Sequence, residues 1–326
     1  MHAQLRRAGP DDNAALCSLA RRCPQGRRLR FFHQRDHYRE RCRLHPDAEI
    51  FVAEENATVA GAVAVARKQT WIGGQWRPTA YVFDLMVDPA FRGRGLGRLL
   101  LDAARQACPA ALLRYAYILE DNAASRRLFE SAGFAPFPRR LFFHAILTRR
   151  GGRQKDDLEW HAPIAHAEAE RLDAQLRARY DFLDATAGHE GLFCLKRKES
   201  RAWAALRCHE PKVFTAVPWY VAASSRLLPF MPRRGDPVRA WSLHHLHAQG
   251  PEARETLARL VTAVCRRAAE NGVAVVMLPL FEDDPRAADV VPWTLSRWGL
   301  RLGTTRLYVA GEFAPARPLL ASGRDG

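Results

Sequence analysis

Between two apolar stretches the chain reads Val87-Asp88-Pro89-Ala90-Phe91-Arg92-Gly93-Arg94-Gly95-Leu96-Gly97-Arg98-Leu99-Leu100. Gly93, Gly95 and Gly97 let the backbone turn tightly and leave its N–H groups uncovered. A helix-forming run follows, so the free N–H groups and partial positive charge of a helix start fall at the same place. Arg92, Arg94 and Arg98 add charge around it. Such a loop suits a diphosphate. Taken alone it could equally be a plain strand-to-helix turn. The strict G-x-G-x-x-G spacing of dinucleotide folds is not met and no P-loop lysine follows.

Other residues could carry chemistry. His244, His245 and His247 invite a metal reading, but on a regular strand His245 and His247 share a face while His244 points away. No carboxylate or cysteine stands nearby at ligand spacing, so a structural or substrate-contact role fits them better. His33 and His37 are four apart on an expected helix, but Arg30, Arg35 and Arg39 around them would repel a cation. The seven cysteines are scattered without a C-x-x-C pair and read as reduced thiols. No metal is expected.

Around these residues the chain alternates strand and helix signals. Strands are expected over 4–8, 50–54, 59–66, 81–87, 112–119 and 141–147, and helices over 10–22, 28–43, 97–107 and 122–131. The polar, glycine-bearing run 148–157 reads as a linker. Beyond it the order recurs: a helix over 165–180, strands over 192–196, 202–207, 213–217 and 238–247, a helix over 251–270, a strand over 273–278, a short helix over 291–298 and a strand over 305–310. The segment 222–237 reads as a lid or an ordinary surface loop. In the second copy the loop is Gln249-Gly250-Pro251-Glu252-Ala253-Arg254, in which Pro251 lacks an N–H, and Glu252 and Glu255 would compete with a phosphate. The division expected is 1–150 and 151–326, each half a mixed α/β unit.

Composition is that of an ordinary globular protein, with 48% hydrophobic and 26% charged residues in 326. The net charge of +15 divides into +11 for residues 1–150 and +4 for 151–326, so the half with the glycine loop is the more basic. Nearly all of that charge is arginine, the bias of a GC-rich genome, and a nucleic-acid partner is not expected. No apolar run reaches membrane-spanning length and no secretory leader is legible, which makes a cytoplasmic location the expectation.

The glycine loop resembles motif A of the GCN5-related N-acetyltransferases, whose core is (R/Q)-x-x-G-x-(G/A). Asn122-x-x-Ser125-x-x-Leu128-Phe129-Glu130-x-x-Gly133-Phe134 resembles the family's motif B and follows at the expected distance. The resemblance implies a mixed α/β fold in two tandem copies, the first active and the second degenerate. It implies acetyl-CoA as donor, attack by an amine of a small molecule or peptide, and no membrane partner; self-association is left open. The main chain of Leu85, Met86 and Val87 would pair with the pantetheine arm, and a backbone N–H near Met86 or Val87 would meet the oxyanion. Arg92, Gly93, Arg94, Gly95, Leu96, Gly97 and Arg98 would cradle the pyrophosphate, with Asn122, Ser125 and Phe129 beside the pantetheine. Asp84 is either the base that deprotonates the amine or an arginine partner. The position that carries a proton-donating tyrosine in the family is Phe129, so Tyr115 or Tyr117 must substitute, Tyr117 being preferred, unless both are core tyrosines. Arg35, His37 and Tyr38 lie where the family's acceptor site is lined. Two other readings stand beside this one: a non-catalytic acyl-CoA-binding regulator, and a basic RNA-associated protein.

Overall fold

The computed structural model describes residues 3–27, 29–148, 158–182, 184–185, 189–224, 233–290, 292, 294–295, 303–311, 313, 315 and 317–321. In chain order the elements of the first half are β1 (Gln4–Arg7), α1 (Asn13–Arg22), β2 (Arg30–His33), β3 (Ala48–Glu55), β4 (Thr58–Ile72), β5 (Gln75–Val87), α2 (Leu96–Gln106), β6 (Leu113–Leu119), α3 (Ala123–Ser131) and β7 (Ala135–Leu147). The second half has β8 (Leu158–His161), α4 (His166–Arg177), β9 (Gly191–Arg197), β10 (Ser200–Cys208), β11 (Lys212–Ala216), α5 (Trp219–Ser224), β12 (Pro237–Val238), β13 (Ala240–Gln249), α6 (Ala253–Glu270), β14 (Val275–Phe281), α7 (Ala287–Val290) and β15 (Thr304–Gly311).

Twelve strands form one mixed sheet in the order β1-β3-β4-β5-β6-β15-β7-β14-β13-β10-β9-β8. The order reads alike from either edge: a short strand, an antiparallel meander of three, then a parallel neighbour. At the centre the halves exchange strands. β15, from the end of the chain, lies antiparallel between β6 and β7, and β7 pairs antiparallel with β14 of the second half. A smaller sheet, β12-β11-β2, also joins the halves, with Lys212 opposite His33 and Phe214 opposite Phe31.

Local sequence explains these elements. β4 is a run of small apolar residues because both its faces are covered. Ala62, Ala64 and Ala66 face the core that contains Leu16 and Leu19 of α1, and Ala60, Val63 and Val65 face Leu96, Leu100 and Leu101 of α2. The buried positions of α2, Leu96, Leu100, Leu101, Ala103 and Ala104, make one helical stripe. The core on the α1 face also takes in Phe281, Leu307 and Leu319, so it is built from both halves.

Two expectations need correction. Residues 28–43 are not one helix: β2 covers Arg30–His33, and a 3-10 helix covers Tyr38–Leu44. The extended run pairs with β11, about 180 residues away in sequence, which no local pattern reveals. The histidines of β13 do not alternate. The pairing with β10 shifts register between Trp203 and Ala205, and His245 adopts φ +50°. This bulge sends both His244 and His245 towards His189, with ring centroids 6.0 and 4.5 Å away, while His247 stacks on Trp203. Of the expected linker only Thr148 is described, and parts of 222–237 and 291–298 lie outside the described residues. Among the described residues no helix is long and apolar enough to cross a membrane, and no group of three or more His, Cys, Asp or Glu is placed to hold a metal.

The strand exchange makes a prediction. A fragment of residues 1–150 lacks β15 and β14, leaving β6 and β7 with unpaired edges inside a hydrophobic sheet. It is expected to aggregate or to lack a cooperative thermal transition by circular dichroism. A monomeric fragment melting as sharply as the full chain would contradict the exchanged pairing.

Candidate active site

β5 and β6 are parallel neighbours that pair only over Thr79–Tyr81 and Leu113–Tyr115. Beyond that point they part, so Val82–Val87 turns an edge to an opening and β6 continues along β15 instead. On its other side β5 stays paired with β4 as far as Val87, opposite Gly61. That pairing shifts register between Ala62 and Ala64, and Asp84, the extra residue, has φ +49°. The bulge resets the alternation of faces. Tyr81, Phe83 and Met86 belong to the α1-side core, whereas Val82, Leu85 and Val87 belong to the α2-side core.

The glycine loop closes one end of this opening. Gly93 and Gly95 have φ +78° and +79°, values that L side chains rarely adopt, and a Cβ on either would meet nothing within 4 Å. Gly95 caps α2, its carbonyl accepting from the N–H groups of Arg98 and Leu99, so the amides of Leu96 and Gly97 are the ones that precede the helix ladder. A bare concavity of N–H groups therefore faces outward at the end of β5. Arg92 Nε and Cys23 Sγ donate to the carbonyl of Val87 at 3.2 and 3.4 Å, Arg94 pairs with Glu55, and Arg98 pairs with Asp102. On the far side Asn122 caps α3, its Oδ1 accepting from the N–H of Ser125 at 3.2 Å. Phe129 is buried edge-on against Phe134, 4.9 Å between centroids.

The bulge residue is held by two guanidinium groups. Arg35 Nη1 donates to Asp84 Oδ2 at 2.7 Å and Arg41 Nη1 to Oδ1 at 2.9 Å, with the carboxylate side chain only 6% exposed. Burial by itself would raise this carboxyl, but the charges of Arg35 and Arg41 and the Arg35 bond outweigh it and hold it well below the usual carboxylate range. The structure thus shows Asp84 as the partner of two arginines, which is the second of its two readings. Arg35 Nε also lies 3.5 Å from Glu210 Oε1 of the second half, and Arg41 Nη2 donates to Tyr81 Oη at 3.0 Å. Burial would lift Glu210 too, yet Arg35, His33 and Arg207 hold it below the usual carboxylate range.

Of the acceptor-side candidates, Arg35 and Tyr38 are buried beside Asp84, and the Arg35 guanidinium lies 5.4 Å from the Tyr38 ring centroid. His37 is exposed, with its main-chain N–H donating to Glu40, and does not join them. Tyr117 stands two residues past the last paired position of β6, half-buried, in an aromatic group with Tyr81 and Tyr115. Sequence reasoning missed Arg41 and, from the second half, Glu210, Arg207 and Lys212. These reach the site through the β2–β11 pairing, which no short-range signal carries.

The second half repeats the opening. β13 and β14 pair only over Ala240–Ser242 and Val275–Met277, and His245 stands at its bulge as Asp84 does in β5. Its loop differs. A Cβ on Gly250 would fall 2.6 Å from Ser200 Oγ, the N–H of Glu252 donates to that same oxygen at 2.8 Å, and Glu252 pairs with Lys198 at 2.7 Å. Ser200 thus crowds Gly250, whereas the space beside Gly93 and Gly95 is bare.

Comparison with known proteins agrees with this geometry. Residues 13–134 match the family described as "Acetyltransferase (GNAT) family". The mycothiol acetyltransferase of Beutenbergia cavernae is 30% identical over 151 residues, which cover 38% of this chain. The chain spans about half, 50%, of that relative's length. Among solved structures, a candidate acetyltransferase from Pyrococcus horikoshii superposes with a TM-score of 0.58 at 12% identity, covering 100% of this chain and 96% of the other. Saccharomyces cerevisiae N-myristoyltransferase with bound myristoyl-CoA gives 0.62 at 9% identity, covering 96% and 83%. A GCN5-related N-acetyltransferase from Anabaena variabilis gives 0.55 at 12%, covering 94% and 72%. At these identities the structures bear on the fold alone. The family match ends at Phe134, immediately before β7, which leaves for the other half of the sheet.

Asp84→Asn tests the ion-pair reading. Asparagine tolerates the positive φ, so the change removes charge with little backbone strain. It leaves Arg35 and Arg41 short of their shared counter-ion and is expected to destabilise the fold by about 3–5 kcal/mol at neutral pH. A depressed carboxyl contributes stability that is fully present above its unfolded value of 3.8 and is lost as pH falls towards its lower folded value. The gap in Tm between wild type and variant should therefore narrow below about pH 4. A gap that widens in acid would contradict the assignment.

Proposed function

We propose that the N-terminal half transfers an acetyl group from acetyl-CoA to an amine, with the C-terminal half as a companion domain of the same ancestry, divided at 1–150 and 151–326, that does not bind CoA. The observation that carries this reading is the parting of β5 from β6 beside a bare glycine nest. An acyl-CoA needs both features: a strand edge for its amide-bearing arm and unpaired N–H groups for its diphosphate. The crowded loop at Gly250 supports the assignment of a single donor site.

In this mechanism the edge of Leu85–Val87 pairs with the pantetheine arm, and Arg92 yields the Val87 carbonyl to it. The nest of Arg92–Gly97, with Arg98, holds the pyrophosphate, and Asn122, Ser125 and Phe129 border the arm. The neutral amine forms its N–C bond to the thioester carbon while the C–S bond breaks. An N–H of the strand just past the bulge meets the developing oxyanion. Asp84 stays ionised throughout and positions Arg35 and Arg41, so the amine's proton leaves through water. Phe129 has no proton to give. Tyr117, on the open stretch of β6, is the donor to the departing thiolate. The missing hydroxyl at Phe129 also favours a second reading, an acyl-CoA-binding regulator without turnover, and a rate measurement separates the two.

Gly95→Glu puts a carboxylate into the nest, and Gly95→Ala controls for the strain of a side chain at positive φ. Calorimetry should give acetyl-CoA affinity at least about tenfold weaker in the glutamate variant than in the alanine variant. Equal affinities would remove the nest from the account. Tyr117→Phe should lower kcat by about 100-fold with acetyl-CoA affinity nearly unchanged. An unaltered kcat would dismiss Tyr117 as the acid, and a wild type that binds acetyl-CoA yet releases no thiol with any amine would favour the regulator.

A further inference from the structure

The seam where the second half meets the first carries more cations than the proposed chemistry uses. Arg35 and Arg41 come from the first half and Arg207 and Lys212 from the second. Of the carboxylates near them, Asp84 is engaged by Arg35 and Arg41, Glu210 by Arg35, and Glu190 acts on Arg207. Lys212 is different. It is half-buried, its ammonium sits 4.9 Å from the Phe31 ring centroid, and no carboxylate among the described residues lies within ion-pair distance of it. Burial, with the like charges of Arg207 and Arg41 and against the attraction of Glu210, pulls this ammonium down to about 8. Holding an ammonium there costs stability unless something anionic meets it.

Its position indicates what that is. Lys212 lies across from His33 in the small sheet, two residues before Arg35, which bonds the bulge residue of β5. Arg41 bonds Tyr81, whose ring stacks on Phe83 of the same strand. The unbalanced charge therefore adjoins the opening between β5 and β6 on its α1 face, opposite the face on which α2 and the glycine nest lie. We propose that the acceptor amine carries an anionic group, a carboxylate or a phosphate, and that Lys212, supplied by the C-terminal half, binds it. The inference rests on the acyl-transfer reading and adds the acceptor class to it. It also gives the second half a role, since that half then completes the acceptor site of the first.

The test is thiol release from acetyl-CoA with matched amines: amino acids against their decarboxylated counterparts, and phosphoethanolamine against ethanolamine. The anionic member of at least one pair should be favoured about tenfold or more in kcat/KM, the carboxylate and phosphate arms telling which anion is read. Lys212→Met should erase that preference through KM rather than kcat, and Lys212→Arg, which keeps the charge, should retain most of it. The proposal is overturned by equal use of neutral and anionic members, by a preference that survives Lys212→Met, or by no turnover of anionic amines while calorimetry shows acetyl-CoA bound. Failure of the wild type to bind acetyl-CoA would overturn the donor reading, and this proposal with it.

Discussion

A strand that lets go of its neighbour in the middle of a sheet leaves main-chain donors and acceptors that something else must satisfy. β5 does this after Tyr81, and much of the molecule serves to hold it open. On one side β4 keeps β5 in place to Val87. On the other, β6 is anchored along its far edge by β15, which pairs with it over seven residues, from Leu113 to Leu119. The opening is thus built into the pairing of the sheet.

The bulge at Asp84 fixes the chemistry of that opening. An extra residue at positive φ keeps Phe83 and Met86 on the α1 face and Leu85 on the α2 face. The carboxylate then meets Arg35 and Arg41, and Arg35 reaches Glu210 of the second half. A buried ion pair is weak evidence for stability in itself, because desolvation offsets much of the attraction. Here it fixes register, tying the bulge of β5 to the segment before the 3-10 helix and to the second half. The pairing of β13 and β14 repeats the same geometry with His245 in place of Asp84, and Ser200 crowds its loop. The parting of parallel strands thus occurs at two places in the sheet, with bare glycines at one loop and Gly250 crowded by Ser200 at the other.

What the sequence discloses depends on range. The glycine loop, the capping Asn122, the buried stripe of α2 and most strands are set by short-range patterns, and they were legible. The order of elements in the second half was legible for the same reason. The exchange of β7 and β15 was not, because nothing in Ala135–Leu147 or Thr304–Gly311 names its partner. Arg41, Arg207, Glu210 and Lys212 were missed because the small sheet that gathers them joins positions about 180 residues apart. The bulges at Asp84 and His245 were invisible too, since an inserted residue looks the same in sequence as a continuing strand. This hid which arginines clasp Asp84 and misassigned the faces of the β13 histidines.

The account rests on acetyl-CoA lying between β5 and β6 with its phosphates on the glycine nest. Hydrogen–deuterium exchange of the full chain with and without acetyl-CoA tests this most directly. Slowed exchange at Leu85–Val87 and Gly93–Gly97, with no change at Leu246–Arg254, is the predicted result. Unchanged exchange at the first two segments, or protection confined to the second-half loop, would contradict it.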